Sequence, residues 1–142
     1  MEQNRLPVLL LIVTSSGEPL APELYASLEP LTLAGSRCRA CATVQFPAAL
    51  QCAHCAGENQ ERIELPRQGV VWTWTVQRFE PKSPYVAPAA GFAPYAVGYV
   101  DLGEVLVESL LHGEPAIGAE VELVRAPAAG ARFTFAFAGS AR

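Results

Sequence analysis

Four cysteines fall within eighteen residues, as Cys38-Arg-Ala-Cys41, ten intervening residues, and Cys52-Ala-His-Cys55. A Cys-x-x-Cys turn aims two thiolates at one point. Two such turns facing each other close a tetrahedral site of the kind that holds structural zinc, with Zn–S of about 2.3 Å. Four thiolates also suit iron. Such a site leaves no open coordination position, so the metal would not serve as a Lewis acid. It would instead staple a segment too small to bury a core of its own. Two disulfides are the other use of these cysteines. Tightly paired cysteines hold metal more readily in a reducing compartment, which makes a cytoplasmic location the expectation. His54 lies inside the second turn and is expected to be a bystander, because four sulfurs saturate zinc. Arg37 and Arg39 flank the first turn. Screening of thiolate charge is their expected role, and contact with a phosphate is the sharper alternative.

The cluster divides the chain. Before it, residues 1–17 form an apolar leader whose longest run, residues 6–13 (LPVLLLIV), is far short of the ~20 residues of a membrane span. Export is not expected either, since Glu2 sits where a basic region belongs and no clear cleavage site follows. Leu20, Leu24, Leu28 and Leu31 then recur at helical spacing. Pro22 suits a first turn and Pro30 a stop, which predicts a short helix. After Pro66 the period changes to two. Strands are expected over residues 70–79, 95–102, 104–111, 119–125 and 132–138, with a tight turn at Asp101-Leu102-Gly103-Glu104. Five strands without room for crossover helices predict a small antiparallel barrel. Strict alternation places Phe133, Phe135 and Phe137 on one face, and Trp72, Trp74 and Val76 on another. Both faces read as barrel core rather than as a base-stacking surface. The expected organisation is therefore 1–35 leader and helix, 36–65 ribbon, and 66–142 barrel.

Nothing in the chain assembles an acid, a base and a nucleophile. All four cysteines are committed to the cluster, His112 stands alone near a strand end, and no phosphate-binding glycine loop or nucleophile elbow is present. The chain is expected to be non-catalytic by itself. The net charge of −4, with only ten lysines and arginines, argues against a nucleic-acid ligand. A single-stranded nucleic-acid-binding module is nonetheless the alternative, because ribbons and small barrels commonly take that role. The remaining feature is a fifteen-residue loop, residues 80–94, with four prolines. A loop of that length in a compact domain is usually functional. Tyr85, Phe92 and Tyr95 give it apolar anchors, and Arg78 and Lys82 stand near its root.

The stretches 37–47 (RCRACATVQFP), 52–57 (CAHCAG), 69–76 (GVVWTWTV), 94–102 (PYAVGYVDL) and 117–122 (IGAEVE) together resemble a family of zinc-ribbon/OB-fold acyl-CoA-associated proteins, the domain-of-unknown-function-35 group. The resemblance covers residues 20–142, and the first seventeen residues depart from it. It implies a mainly β chain: an N-terminal helix and rubredoxin-like zinc ribbon, then a five-stranded antiparallel OB-fold barrel. It implies structural zinc at Cys38, Cys41, Cys52 and Cys55, and no catalytic residues. The implied role is accessory, completing or ordering the acyl-CoA site of a thiolase-like catalytic subunit in a hetero-oligomer such as α2β2. In such a complex the partner's cysteine attacks a β-ketoacyl-CoA and coenzyme A accepts the acyl group, aromatic-compound degradation being one setting. Arg78, Lys82, Tyr85, Phe92 and Tyr95 are then expected along the partner's acyl-CoA channel, with neither nucleic acid nor membrane as a partner.

Overall fold

The structure is a computed structural model that describes residues 17–139. The apolar run at 6–13 of the leader lies outside the described residues. Among the described residues nine strands run in chain order: β1 (Tyr25–Leu28), β2 (Leu31–Cys38), β3 (Val44–Gln45), β4 (Gln60–Glu64), β5 (Gln68–Gln77), β6 (Tyr95–Asp101), β7 (Leu106–His112), β8 (Glu120–Ala128) and β9 (Arg132–Gly139).

The first four strands are organised by β2. Its first half pairs antiparallel with β1, with Tyr25 opposite Leu33. Its second half pairs with β4 from Ala34 to Cys38, and with β3 at Ser36 and Arg37. The helix expected before the cysteines is not there. Pro22 starts only a single 3₁₀ turn, Pro22–Leu24, and the chain then enters the β1–β2 hairpin. The leucine spacing misled because two of its four members, Leu20 and Leu28, stand exposed and so form no buried stripe. The buried leucines, Leu31 and Leu33, lie instead on β2, a strand covered on both faces, with Thr32 and Ala34 buried beside them.

The last five strands close into a barrel in the order β5-β6-β7-β9-β8. Every neighbouring pair is antiparallel except β7 and β9, which run parallel through Leu110–Ala136 and His112–Ala138. The expectation of a plainly antiparallel barrel is therefore corrected to a mixed one, for a topological reason. Strand direction cannot alternate all the way round a closed ring of five, so one contact must be parallel. The β6–β7 turn is as expected: Gly103 takes a positive φ of 101°, and its N–H donates to Asp101 Oδ1 at 2.7 Å.

Phe133, Phe135 and Phe137 fill the barrel core as their alternation predicted. Trp72 and Trp74 do not. The register slips between Val71 and Thr73, the mark of a β-bulge, so the two tryptophans fall on opposite faces. Trp72 is 56% exposed and packs edge-on against Tyr99, at 6.4 Å between ring centroids. Trp74 pairs across to Gly98 and stays 38% exposed. A bulge inserts one residue into the period, and the sequence carries no signal of it.

The two parts share one core. Tyr25 of β1 lies against Phe133 and Phe135, and Phe46 meets Phe135 edge-on at 5.8 Å. Leu31, Leu33, Val44 and Leu65 belong to the same cluster as Val71, Val100, Val107 and Leu123. Residues 18–20 extend the barrel, since the Leu20 N–H donates to the Phe133 carbonyl and the Phe133 N–H to the Glu18 carbonyl. Arg125 lies over the Phe133 ring at 4.3 Å and donates to the Leu28 carbonyl at 2.6 Å, fixing the β1–β2 hairpin to β8. No helix among the described residues is long and apolar enough to cross a membrane.

Candidate metal centre and neighbouring arm

The two Cys-x-x-Cys turns have the same backbone wiring. In the first, the Cys38 N–H donates to the Thr43 carbonyl and the Ala42 N–H to the Cys38 carbonyl. In the second, the Cys52 N–H donates to the Gly57 carbonyl and the Ala56 N–H to the Cys52 carbonyl. Each turn swings back through one left-handed residue, Ala42 at φ 66° and Ala56 at φ 64°. Glycine is the usual occupant of that conformation, so both knuckles hold alanine where it is least comfortable.

The wiring brings the four sulfurs together. All four Sγ atoms lie within 4.8 Å of one another. Cys38 Sγ is 3.5 Å from Cys55 Sγ, and Cys41 Sγ is 3.6 Å from Cys52 Sγ. A tetrahedron with Zn–S of about 2.3 Å requires S–S of about 3.8 Å, so the donor set fits a tetrahedral ion. The sulfurs are too far apart for disulfides, and all four cysteines are free. Cys38 and Cys52 are buried, while Cys41 and Cys55 are exposed.

The local field prepares this set for a cation. The Thr43 hydroxyl and backbone pull the Cys41 thiol down to about 5, with the His54 side chain adding to the pull. Backbone N–H groups of Cys41 and Ala40 lower Cys38. Cys55 goes the other way, to about 12: the Gly57 N–H draws it down, but the surrounding sulfurs of Cys38, Cys41 and Cys52 outweigh it. Sulfur anions crowded this closely repel one another until a positive ion sits between them. Backbone N–H groups of His54 and Gly57 also point at Cys52 Sγ and Cys55 Sγ, each at 3.4 Å. His54 is not one of the gathered donors; its side chain acts on Cys41 and its backbone N–H on Cys52.

Arg37 neither screens the cluster nor stands free. Its guanidinium forms a two-pronged pair with Glu104, at 2.7 and 2.8 Å, joining the strand that carries the first cysteine to the β6–β7 turn. The pair holds the Glu104 carboxyl below its usual range. These residues are 67 apart in sequence, so no local pattern could have matched them. Arg39 is exposed, and His112 stays exposed at the end of β7.

The arm at 80–94 folds on itself. Tyr85 stacks on Tyr95 at 6.4 Å, and Phe92 closes the trio at 6.3 and 6.2 Å from the other two rings. The three rings are half-buried against one another, while Phe79 and Val86 are the large apolar side chains left exposed on this segment. Arg78 and Lys82 stand in solvent at its root.

Two family models match this arrangement, one after the other. The model described as ChsH2, rubredoxin-like zinc ribbon domain, matches residues 29–60. The model described as ChsH2, C-terminal OB-fold domain, matches residues 62–125. The chain belongs to the DUF35 family. This DUF35 chain is 32% identical over 84 residues to the benzoylsuccinyl-CoA thiolase subunit BbsA of Thauera aromatica, a match covering 58% of the chain and 54% of BbsA. It is 34% identical over 77 residues to a DUF35 domain-containing scaffold protein of Methanocaldococcus jannaschii, covering 54% and 51%. The chain thus spans about half the length of the curated relatives it matches. Its fold is similar to that of the Ltp2-ChsH2(DUF35) aldolase, with a TM-score of 0.60 at 24% identity over 78% of this chain and 86% of that one. It is also similar to a DUF35 protein of unknown function from Sulfolobus solfataricus, with a TM-score of 0.56 at 14% identity over 95% and 98%.

Proposed function

We propose that this DUF35 chain is a non-catalytic accessory subunit of a thiolase-type acyl-CoA enzyme, and that Cys38, Cys41, Cys52 and Cys55 hold one structural zinc in it. The observation that carries the reading is the pairing of a four-sulfur ribbon with a closed barrel on one core, in a chain related to a thiolase subunit and folded like the DUF35 part of an aldolase. Bound metal would supply charge neutralisation and a fixed crosslink, no more, since four sulfurs leave no position for substrate. What the chain itself offers a partner is a shaped surface. The Tyr85–Phe92–Tyr95 cluster pre-forms the proline-rich arm, so docking orders little that is not already ordered. Phe79 and Val86 remain exposed to meet an apolar surface. Arg78 and Lys82 at the root would attract the phosphates of a coenzyme A thioester held by the partner. Nucleophilic attack and acyl transfer stay with the partner, a thiolase-like catalytic subunit in a hetero-oligomer. A β-ketoacyl-CoA from aromatic-compound degradation is the substrate class that the relation to BbsA suggests. This reading also favours the cytoplasm, where acyl-CoA chemistry occurs.

The test is affinity capture of the tagged full chain from its own cells, with identification of what co-purifies and an assay of β-ketoacyl-CoA thiolysis. The reading expects a thiolase-type subunit in stoichiometric amount, about one zinc per chain by elemental analysis, and loss of thiolysis when this chain is stripped away. Capture of no acyl-CoA enzyme, or tight salt-resistant binding of single-stranded oligonucleotides, sinks it.

A further inference from the structure

Strand β5 outlasts its neighbour on one side. β8 pairs with it only at Gln68, Gly69 and Val70, and Val71 makes the last bonds on that edge, to Gly118 and Ala119. From Trp72 to Gln77 the strand has β6 on one edge and, among the described residues, no backbone partner on the other. This exposed stretch reads Trp-Thr-Trp-Thr-Val-Gln, with no charge and no proline. Natural proteins shield free edges with charge, proline, bulges or covering loops. Among the described residues only the bulge is present here, at the near end, and it splays Trp72 and Trp74 onto opposite faces, so a strand laid alongside would have an indole on each face.

The charges around the edge are arranged end to end. Beside its beginning stand Glu120 and Asp101, both cross-strand partners of Val70. Just past its end stand the exposed Arg78 and Lys82. We infer that this edge receives the same edge of a second copy of the chain, antiparallel and related by a two-fold axis. Antiparallel pairing carries the basic end of each strand onto the acidic end of the other, and symmetry makes that match twice. With Trp74 opposite Trp74 of the second copy, Thr73 faces its Thr75 and Trp72 its Val76. These are threonine–threonine and aromatic–branched pairs of the sort that stabilise sheets. In this register the paired stretch is Trp72–Val76; beyond it β8 already holds the edge at Val71 and Val70, so Arg78 of one copy reaches the β8 end of the other, where Glu120 stands. A nucleic-acid strand has no such fit, since its phosphates would meet Glu120 at the β8 end of the edge. The inference goes beyond the accessory role: with Arg78 set against Glu120 of the second copy, Lys82 is the cation left to face the partner's thioester, and the test concerns only how two copies of this chain meet.

Sedimentation velocity on the zinc-loaded full chain, from about 1 to about 200 μM, measures the association directly. The two tryptophans are the only ones in the chain and both lie on this edge, so their quenching by acrylamide should fall as the dimer forms. Arg78→Glu and Glu120→Arg alter exposed side chains away from the core, so each should weaken the dimer several-fold at low salt. The double variant should restore it. Trp74→Glu, which sets two carboxylates face to face, should leave a monomer that keeps its zinc. A parent that stays monomeric at every concentration overturns the inference. So does a dimer indifferent to both Trp74→Glu and the charge reversals, or quenching protection that arises only when an oligothymidylate is added. Capture or loss of a thiolase-type subunit in the earlier experiment does not enter these outcomes.

Discussion

Leu33 lies in the strand that leads to the first cysteine, yet it is fully buried in the cluster that includes the barrel phenylalanines. It is paired with Tyr25, and its carbonyl accepts the Leu65 N–H at 2.9 Å. Leu33→Ala keeps that backbone bond and removes only side-chain volume. Truncating a fully buried leucine costs about 2–5 kcal/mol, the upper part applying where neighbours cannot collapse into the gap. Here the neighbours belong to two sheets already in mutual contact, so a loss of roughly 3 kcal/mol is expected. With a urea m-value of about 2 kcal/mol/M, that moves the unfolding midpoint down by about 1.5 M. The assay is urea unfolding followed by tryptophan emission, because Trp72 and Trp74 both sit in β5 and report on the barrel alone. A substitution made in the ribbon's strand should thus shift a barrel signal, with the m-value unchanged. If the tryptophan midpoint stays where it was while only a ribbon signal, such as the absorbance of bound cobalt, is lost, ribbon and barrel are separate cooperative units and the reasoning fails.

Three further outcomes are expected. Ala56→Gly, at a left-handed position, should stabilise the metal-free chain by up to about 1 kcal/mol in thermal melts, whereas a decrease would mean the left-handed backbone is not what limits the knuckle. Metal uptake must displace the proton that Cys55, pushed up to about 12, retains at neutral pH, while Cys41, drawn down to about 5, has already lost its own. Apparent zinc affinity should therefore rise with pH between about 6 and 8 in competition with a chromophoric chelator, and a flat profile would contradict the assignment. The Glu104 carboxyl is depressed by Arg37, so the stabilisation it gives is present above the ordinary carboxylate range and is lost as pH falls through its folded value. Glu104→Gln should then melt below the parent at pH 7, with the gap closing in acid below about pH 4. A gap that persists there would assign the effect to something other than charge.

The readable parts of this chain were those set by local chemistry. Cysteine spacing finds the four gathered sulfurs, and alternation together with the turn at Gly103 finds the five barrel strands and the phenylalanine core. Two features defeated the same logic. Four leucines at helical spacing proved to be a turn, two strands and a hairpin, because which leucine is buried depends on Phe133 and Phe135, more than a hundred positions later. Alternation misplaces the Trp72–Trp74 pair because a single inserted residue changes the face of everything beyond it without altering composition. The Arg37–Glu104 pair was out of reach for another reason: it exists only once the β6–β7 turn is folded against β2. Arg78, Lys82 and the three rings of the arm were located by their loop, but that the rings engage one another was not foreseeable from their spacing.

Strand β2 also sets where this architecture can tolerate a change of length. Over eight residues it carries Leu33 into the shared core and delivers Cys38 to the sulfur cluster. Inserting or deleting one residue between them would turn Cys38 to the opposite side of the sheet while Leu33 stayed in place. The cluster would then be one donor short, although every cysteine remained in the sequence. The arm at 80–94 is under no such discipline, since both its ends are fixed by the β5–β6 ladder and added loop length costs little. Chains built on this plan should therefore keep the interval from Leu33 to Cys38 invariant while accepting added length in the arm outside its three-ring cluster, which makes that interval a sharper diagnostic than the cysteine spacing itself.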